Sequence, residues 1–265
     1  MPQPTPYEVA LHHVTAGYPR RPVLRRLTAS VPRSATTAVV GPNGSGKSTL
    51  LSVLAGVHPL TSGVLHRGRT SRPCFVVQRS AVADTLPLTV RETVTMGRWA
   101  HRGAWRRLTA RDRSVVDASM EQLGILELAG RQLGELSGGQ RQRALVAQGL
   151  AQEADLFLLD EPTTGLDMAA RQSITDVLRT AAAQGVTVVQ ATHDLDAARA
   201  SDHCLLLRDG RLVEEGRPDE VLTDSALRRL WYPAHQGQSD AGFRRTPSTA
   251  PSTGGAAGAP PAAPR

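Results

Sequence analysis

Apolar positions along the chain follow two rhythms. From residue 7 to about 35 they alternate with polar ones, as in antiparallel strands, with turn punctuation at Gly17, Pro19, Pro22 and Pro32. Residues 37–40, 156–159 and 186–191 are instead short continuous apolar runs, the pattern of strands buried on both faces. Helical spacing fills the intervals. Residues 48–55 place apolar side chains at 50, 51, 53 and 54 and stop at Gly56, which predicts a helix ended by glycine. Residues 80–135 contain no buried β-branched strand. They carry a capping box at Thr109 and Asp112, followed by Val116, Met120 and Leu123 on one helical face. Residues 138–152 and Met168–Ala183 also read as helices. This alternation predicts an α/β fold over residues 1–235. Its core is a mainly parallel sheet, with an N-terminal antiparallel β part and a helical insertion over about 80–135. From residue 236 to 265 the composition narrows to Gly, Ser, Thr, Pro and Ala, too poor in apolar surface to offset ordering, so this tail is expected to be disordered.

Charge changes the picture less than it first suggests. A net charge of +7 and a pI near 10.5 invite a nucleic-acid or anionic-membrane reading. The cations are spread thinly, however, and all but one are arginine. The exception is Lys47, a compact point charge on a flexible stem where the rest of the chain uses planar forks. Arg98, Arg102, Arg106, Arg107, Arg111 and Arg113, with Trp99 and Trp105 interleaved, are read as a solvated basic face rather than a nucleic-acid stripe. Cys74 and Cys204 sit in apolar runs and are expected to be buried reduced thiols. No apolar run approaches the roughly 18 to 20 residues of a membrane span. The first residues lack a basic start followed by an apolar stretch, so a cytosolic chain without a secretory signal is expected.

The chemistry begins at Lys47. Gly41, Pro42, Asn43, Gly44, Ser45, Gly46, Lys47, Ser48 and Thr49 match G-x-x-x-x-G-K-[ST] between a predicted strand and a predicted helix. Glycines at these positions let backbone N–H groups turn in around phosphate oxygens. Lys47 would reach the β and γ phosphates, and the Ser48 hydroxyl would ligate magnesium. Asp160 and Glu161 end the buried run 156–159; beside such a loop the first can hold magnesium and the second can polarise an attacking water. Ser137, Gly138, Gly139 and Gln140 open the helix over 138–152. Because no structural duty demands two adjacent glycines there, they read as a second anion-binding site.

These segments, in this order, resemble the ABC ATPase family over nearly everything from residue 7 to 231. GPNGSGKST resembles its Walker A motif, LSGGQ its signature, LFLLDE its Walker B and Gly165-Leu166-Asp167 its D-loop. Thr192-His193-Asp194 is similar to the switch-histidine segment. Gln78, after the run 75–77, falls at the Q-loop glutamine, and Tyr18 at the aromatic that stacks on adenine. The resemblance implies a P-loop NTPase cassette using ATP and Mg2+, with Ser48, Gln78 and Asp160 around the metal. Glu161 would be the general base and His193 a contact to the γ-phosphate. It also explains the two phosphate sites. Two cassettes would face each other head to tail, each ATP held between the Walker A of one and the signature of the other, with Asp167 at the contact.

The implied partners are a second copy of the chain, an integral membrane permease and, indirectly, an extracytoplasmic solute-binding protein, with no nucleic acid. The chain would sit peripherally on the cytoplasmic face of the membrane. The stretch from Gln78 to Gly103, continuing to Arg113, is similar to subunits of zinc and manganese importers and next to those of iron-siderophore importers. A metal importer, zinc first, is therefore expected. An iron-siderophore importer and a drug exporter are the alternatives.

Overall fold

A computed structural model describes residues 7–19, 21–68, 72–77, 87–103 and 105–231. The anticipated tail and Gln78 lie outside these residues. Strands β1 (Tyr7–Tyr18) and β2 (Arg21–Pro32) form the N-terminal antiparallel pair and are followed by β3 (Thr36–Val40) and α1 (Lys47–Ala55). β4 (Ser62–Arg67) and β5 (Cys74–Val76) precede the insertion helices α2 (Val90–Thr95), α3 (Trp99–Arg102) and α4 (Ala110–Gln122). The remainder is α5 (Gly138–Leu150), β6 (Leu156–Asp160), α6 (Met168–Ala183), β7 (Thr187–Thr192), α7 (Leu195–Arg199), β8 (His203–Arg208), β9 (Arg211–Gly216), α8 (Pro218–Val221) and α9 (Asp224–Trp231).

Two sheets result. One has the order β2-β1-β4 and is antiparallel; the other runs β5-β6-β7-β3-β8-β9, parallel except for its last pair. In β1 the buried positions are Val9 and Leu11, then Val14 and Ala16. Their parity flips across His13, which has φ 49 and lies within a register shift. β2 answers with Leu24 and then Leu27 around Arg26, φ 51. The paired irregularities keep one face of both strands on the core.

The parallel sheet sorts its side chains by parity. Leu156 and Leu158 face the cluster formed with α1 and the antiparallel sheet, whereas Phe157 and Leu159 face the helices of the insertion, α5 and α6. In β3, Ala38 and Val40 face α7–α9 and Val39 the α1 side. β3 and β6 therefore end side by side with β7 between them, their C-terminal ends opening onto the same edge as the N-terminus of α1. That edge is where ligands bind in open parallel sheets.

The insertion is anchored by Arg98, which corrects the reading of that residue as part of a solvated face; Arg106, Arg107, Arg111 and Arg113 are exposed as expected. Arg98 is only 4% exposed; it donates to Asp112 at 3.0 Å, to Glu153 at 2.7 Å and to the Ala151 carbonyl at 2.8 Å. Arg102 pairs with Asp112 as well, at 3.0 Å. The Thr109 capping box, then Arg98 and Arg102, hold the Asp112 carboxyl well below its ordinary range. Trp105, by contrast, is 98% exposed. Cys74 and Cys204 are buried and unpaired, and desolvation pushes both thiols up to about 12.

Candidate functional site

The loop between β3 and α1 is shaped by close contacts that exclude side chains. A Cβ on Gly41 would lie 2.2 Å from the Leu207 carbonyl oxygen, and one on Gly46, at φ 105, 2.9 Å from Leu24. Gly44, at φ 79, faces open space. Helix α1 starts at Gly46 without a side-chain cap and without an acidic residue in its first turn. Its first N–H groups are thus left for an external acceptor.

Lys47 lies in this loop with its amine inward. Nζ donates to the Gly41 carbonyl at 2.9 Å and the Pro42 carbonyl at 3.2 Å, and the side chain is buried. Burial lowers its pKa, against the opposing pull of Glu161 and Asp160. Asp160, at the end of β6, is buried too. Desolvation raises its pKa; a hydrogen bond from Ser48 opposes this, the Glu161 charge adds to it, and Lys47 opposes it. The Ser45 hydroxyl is buried and has no hydrogen-bond partner among the described residues.

Glu161 follows on a turn with φ 51, held by its N–H donating to the Ala191 carbonyl at 3.0 Å. The Thr164 hydroxyl donates to one carboxylate oxygen at 3.1 Å, and His193 Nδ1 lies 3.5 Å from the other. Lys47, Ser48, Thr49, Asn43, Gly44, Gly46 and Glu161 line one open cavity, together with Val23. Tyr18 stands at the tip of β1, 66% exposed.

The donor set fits a phosphate chain with a divalent cation. An uncapped helix start, an amine and an unpaired buried hydroxyl suit phosphate oxygens. Ser48 and Asp160, already joined by a hydrogen bond, offer the one or two hard oxygen ligands that Mg2+ takes beside substrate phosphates. No group of three or more His, Cys, Asp or Glu able to hold a metal occurs among the described residues.

The second predicted phosphate site looks different. Ser137 caps α5, its hydroxyl accepting from Gln140 N at 3.3 Å while Gln140 Oε1 accepts from Ser137 N at 3.0 Å. A Cβ on Gly139 would sit 3.1 Å from the Ala170 Cβ, so this glycine lets α5 approach α6. The expectation that no structural duty demands glycine there is corrected for Gly139. Asp167 likewise caps α6, accepting from Ala170 N at 2.8 Å.

Two further residues belong to the site. Thr164 was hidden inside a loop motif. Arg171 donates to Asp194 at 3.0 Å and ties α6 to the turn carrying His193, a pairing across 23 positions that no local pattern signals.

An amine, a hydroxyl and two acids gathered at the end of a parallel sheet share one chemistry, phosphoryl transfer to water, and the molecule is a P-loop ATPase. The chain belongs to the ABC transporter family, whose profile matches residues 24–164. It is 36% identical to the zinc transport system ATP-binding protein TroB of Treponema pallidum, over 86% of this chain and 88% of that protein. Identity to the iron(3+)-hydroxamate import ATP-binding protein FhuC of Bacillus subtilis is 37%, covering 81% and 84%. A solved ABC transporter described as metal-chelate type, in an inward-facing conformation, superposes with a TM-score of 0.77 at 31% identity, over 85% of this chain and 89% of that one. Cassettes of this family bind ATP, dimerise and work with membrane permease components. No helix among the described residues is long and apolar enough to cross a membrane.

Proposed function

We propose that the chain powers import of a transition-metal ion, zinc first and manganese second, through a separate permease, as one of two cassettes that close on ATP. The observation carrying the hydrolytic part is the convergence of Lys47, Ser48 and Glu161 on one open cavity, with Asp160 hydrogen-bonded to Ser48 and His193 beside Glu161. Lys47 exchanges the carbonyls of Gly41 and Pro42 for the β and γ phosphates, and backbone N–H groups of the loop and of the uncapped start of α1 hold the remaining oxygens. Ser48 and Asp160 hold Mg2+, which when bound neutralises charge between the β and γ oxygens. Glu161 accepts the proton of the attacking water. His193 reaches the γ-phosphate from its place against Glu161. Ser137 to Gln140 of the second copy cover the phosphate from the other side, and Gln78 links the site to the permease. A domain of residues 1–235 carries all of this, and residues 236–265 are dispensable for it.

The cargo rests on the relatives. TroB is named for zinc transport, and the stretch from Gln78 to Arg113 leans the same way. FhuC, of similar identity, supports an iron-siderophore importer as the second reading. The test is a deletion strain grown with a zinc chelator and rescued separately by zinc, manganese or iron. Rescue by zinc alone is expected. Normal growth under chelation with a defect only in iron-limited medium assigns the siderophore cargo instead.

A further inference from the structure

His58 lies just past the helix that begins at the phosphate loop, and its side chain turns back to the tip of β1. Its Nε2 is 3.0 Å from the Gly17 carbonyl oxygen. A carbonyl only accepts, so Nε2 carries the hydrogen. The imidazole also meets the Tyr18 ring edge-on, with centroids 5.6 Å apart and planes at 65°, the arrangement that aromatic pairs favour. One side chain therefore fixes both the peptide plane entering Tyr18 and the tilt of its ring. Tyr18 is 66% exposed, and the only ring contact found for it among the described residues is His58.

The anchor on the other side is equally definite. Gly56 ends α1 in the left-handed region at φ 76, and the N–H groups of Val57 and His58 both donate to the Ser52 carbonyl, at 3.0 and 3.1 Å. Pro59 follows and biases His58 toward extended backbone. Gly17 sits where a Cβ would meet Val23 N at 2.5 Å and the Arg21 carbonyl at 2.6 Å, so only glycine fits at the position whose carbonyl faces His58.

We infer that His58 is a positioning residue for the nucleobase, holding Tyr18 as a preset stacking platform from just beyond the C-terminal end of the helix whose N-terminus takes the phosphates. The two ends of ATP are thereby gripped from opposite ends of α1. This rests on Tyr18 being the base platform, so the experiment reads the two assignments separately.

Binding of ATP and of inorganic triphosphate, which has no base, is measured by calorimetry on the full chain and on Tyr18→Ala, His58→Ala and the double variant. Tyr18→Ala weakens ATP by about tenfold, the scale of one base stack. His58→Ala weakens it roughly threefold to tenfold, the worth of an aromatic pair. The double variant is no weaker than Tyr18→Ala alone, and triphosphate affinity stays within about twofold throughout. In turnover, His58→Ala raises KM with kcat nearly unchanged. His58→Gln keeps a donor toward Gly17 and shows a smaller rise, which excludes a folding defect as the cause. Equal losses for ATP and triphosphate, or additive effects of the two single variants, overturn the role of His58. A silent Tyr18→Ala overturns the platform itself.

Discussion

Helices α1 and α5 both begin beside glycines and both are aimed at phosphate, yet they settle their free N-terminal amides in different ways. At α1 the cap is Gly46, with no side chain to offer, and the Ser45 hydroxyl has no partner among the described residues, while the Lys47 amine rests on the Gly41 and Pro42 carbonyls. At α5 the cap is Ser137, and with Gln140 it forms a closed capping box. The first site offers its helix start without a side-chain cap; in the second, the Ser137 and Gln140 amides are already engaged and must give up those hydrogen bonds before they can receive phosphate. Such an exchange makes the outcome depend on what the second subunit brings.

The sharpest way to break this contrast is Lys47→Ala. Among the described residues no other cation lines the cavity, so kcat/KM for ATP should fall on the order of 10⁴-fold, one donor's contribution to the transition state together with lost binding. Steady-state hydrolysis checks it, and near-normal turnover removes α1 from the chemistry. Next is Glu161→Gln, expected to slow hydrolysis about 10²–10³-fold while binding persists. A dimer should then accumulate with ATP and Mg2+ in size-exclusion runs where the parent stays monomeric; a variant that never dimerises contradicts the shared site.

Ser137→Ala separates the two duties of α5. Loss of the cap should cost about 1 kcal/mol in denaturant unfolding of the isolated chain. A fall in turnover of roughly tenfold, beyond that stability loss, would reflect a missing phosphate donor, on the scale of one charge-assisted hydrogen bond. Asp160→Asn runs the opposite way for stability. Burial raises the Asp160 pKa in the folded chain, so between its ordinary value and that raised value the folded state binds more protons than the unfolded one. Stability therefore falls as pH rises through this window. The Asn variant lacks that penalty and should melt higher at neutral pH without nucleotide, while losing activity, which thermal unfolding and steady-state hydrolysis check. Smallest of all, removal of residues 236–265 should shift melting by less than about 1 °C and leave ATPase activity unchanged, because the segment has little apolar surface to dock. A drop of several degrees would mean that it docks.

What could be read before the structure was whatever the chain writes locally. The Thr109–Asp112 box, the Gly56 stop, the span of α6 and the doubly buried strands follow from spacing and neighbouring residues alone, and the structure has them. So does the phosphate loop, because its chemistry needs contiguous glycines and a lysine. Distance in sequence defeated the rest. Arg98 looked solvated because one of its partners, Glu153, is 55 positions away. The β8–β9 hairpin carried a turn signal at Asp209-Gly210 that went unused. The strand order β5-β6-β7-β3-β8-β9 depends on crossovers that no window of residues encodes. His58 had only its His-Pro step to mark it, and its partner lies across the strand tip.

Asp194 divides its carboxylate between two neighbours. One oxygen accepts the amides of Asp196 and Ala197 that open α7, and the other takes the Arg171 guanidinium from α6. His193, the residue before it, rides on that joint. A shift at the end of α6 would act through Arg171 on the carboxylate one residue from the imidazole, so a single ion pair couples that helix to the turn that carries His193 beside Glu161.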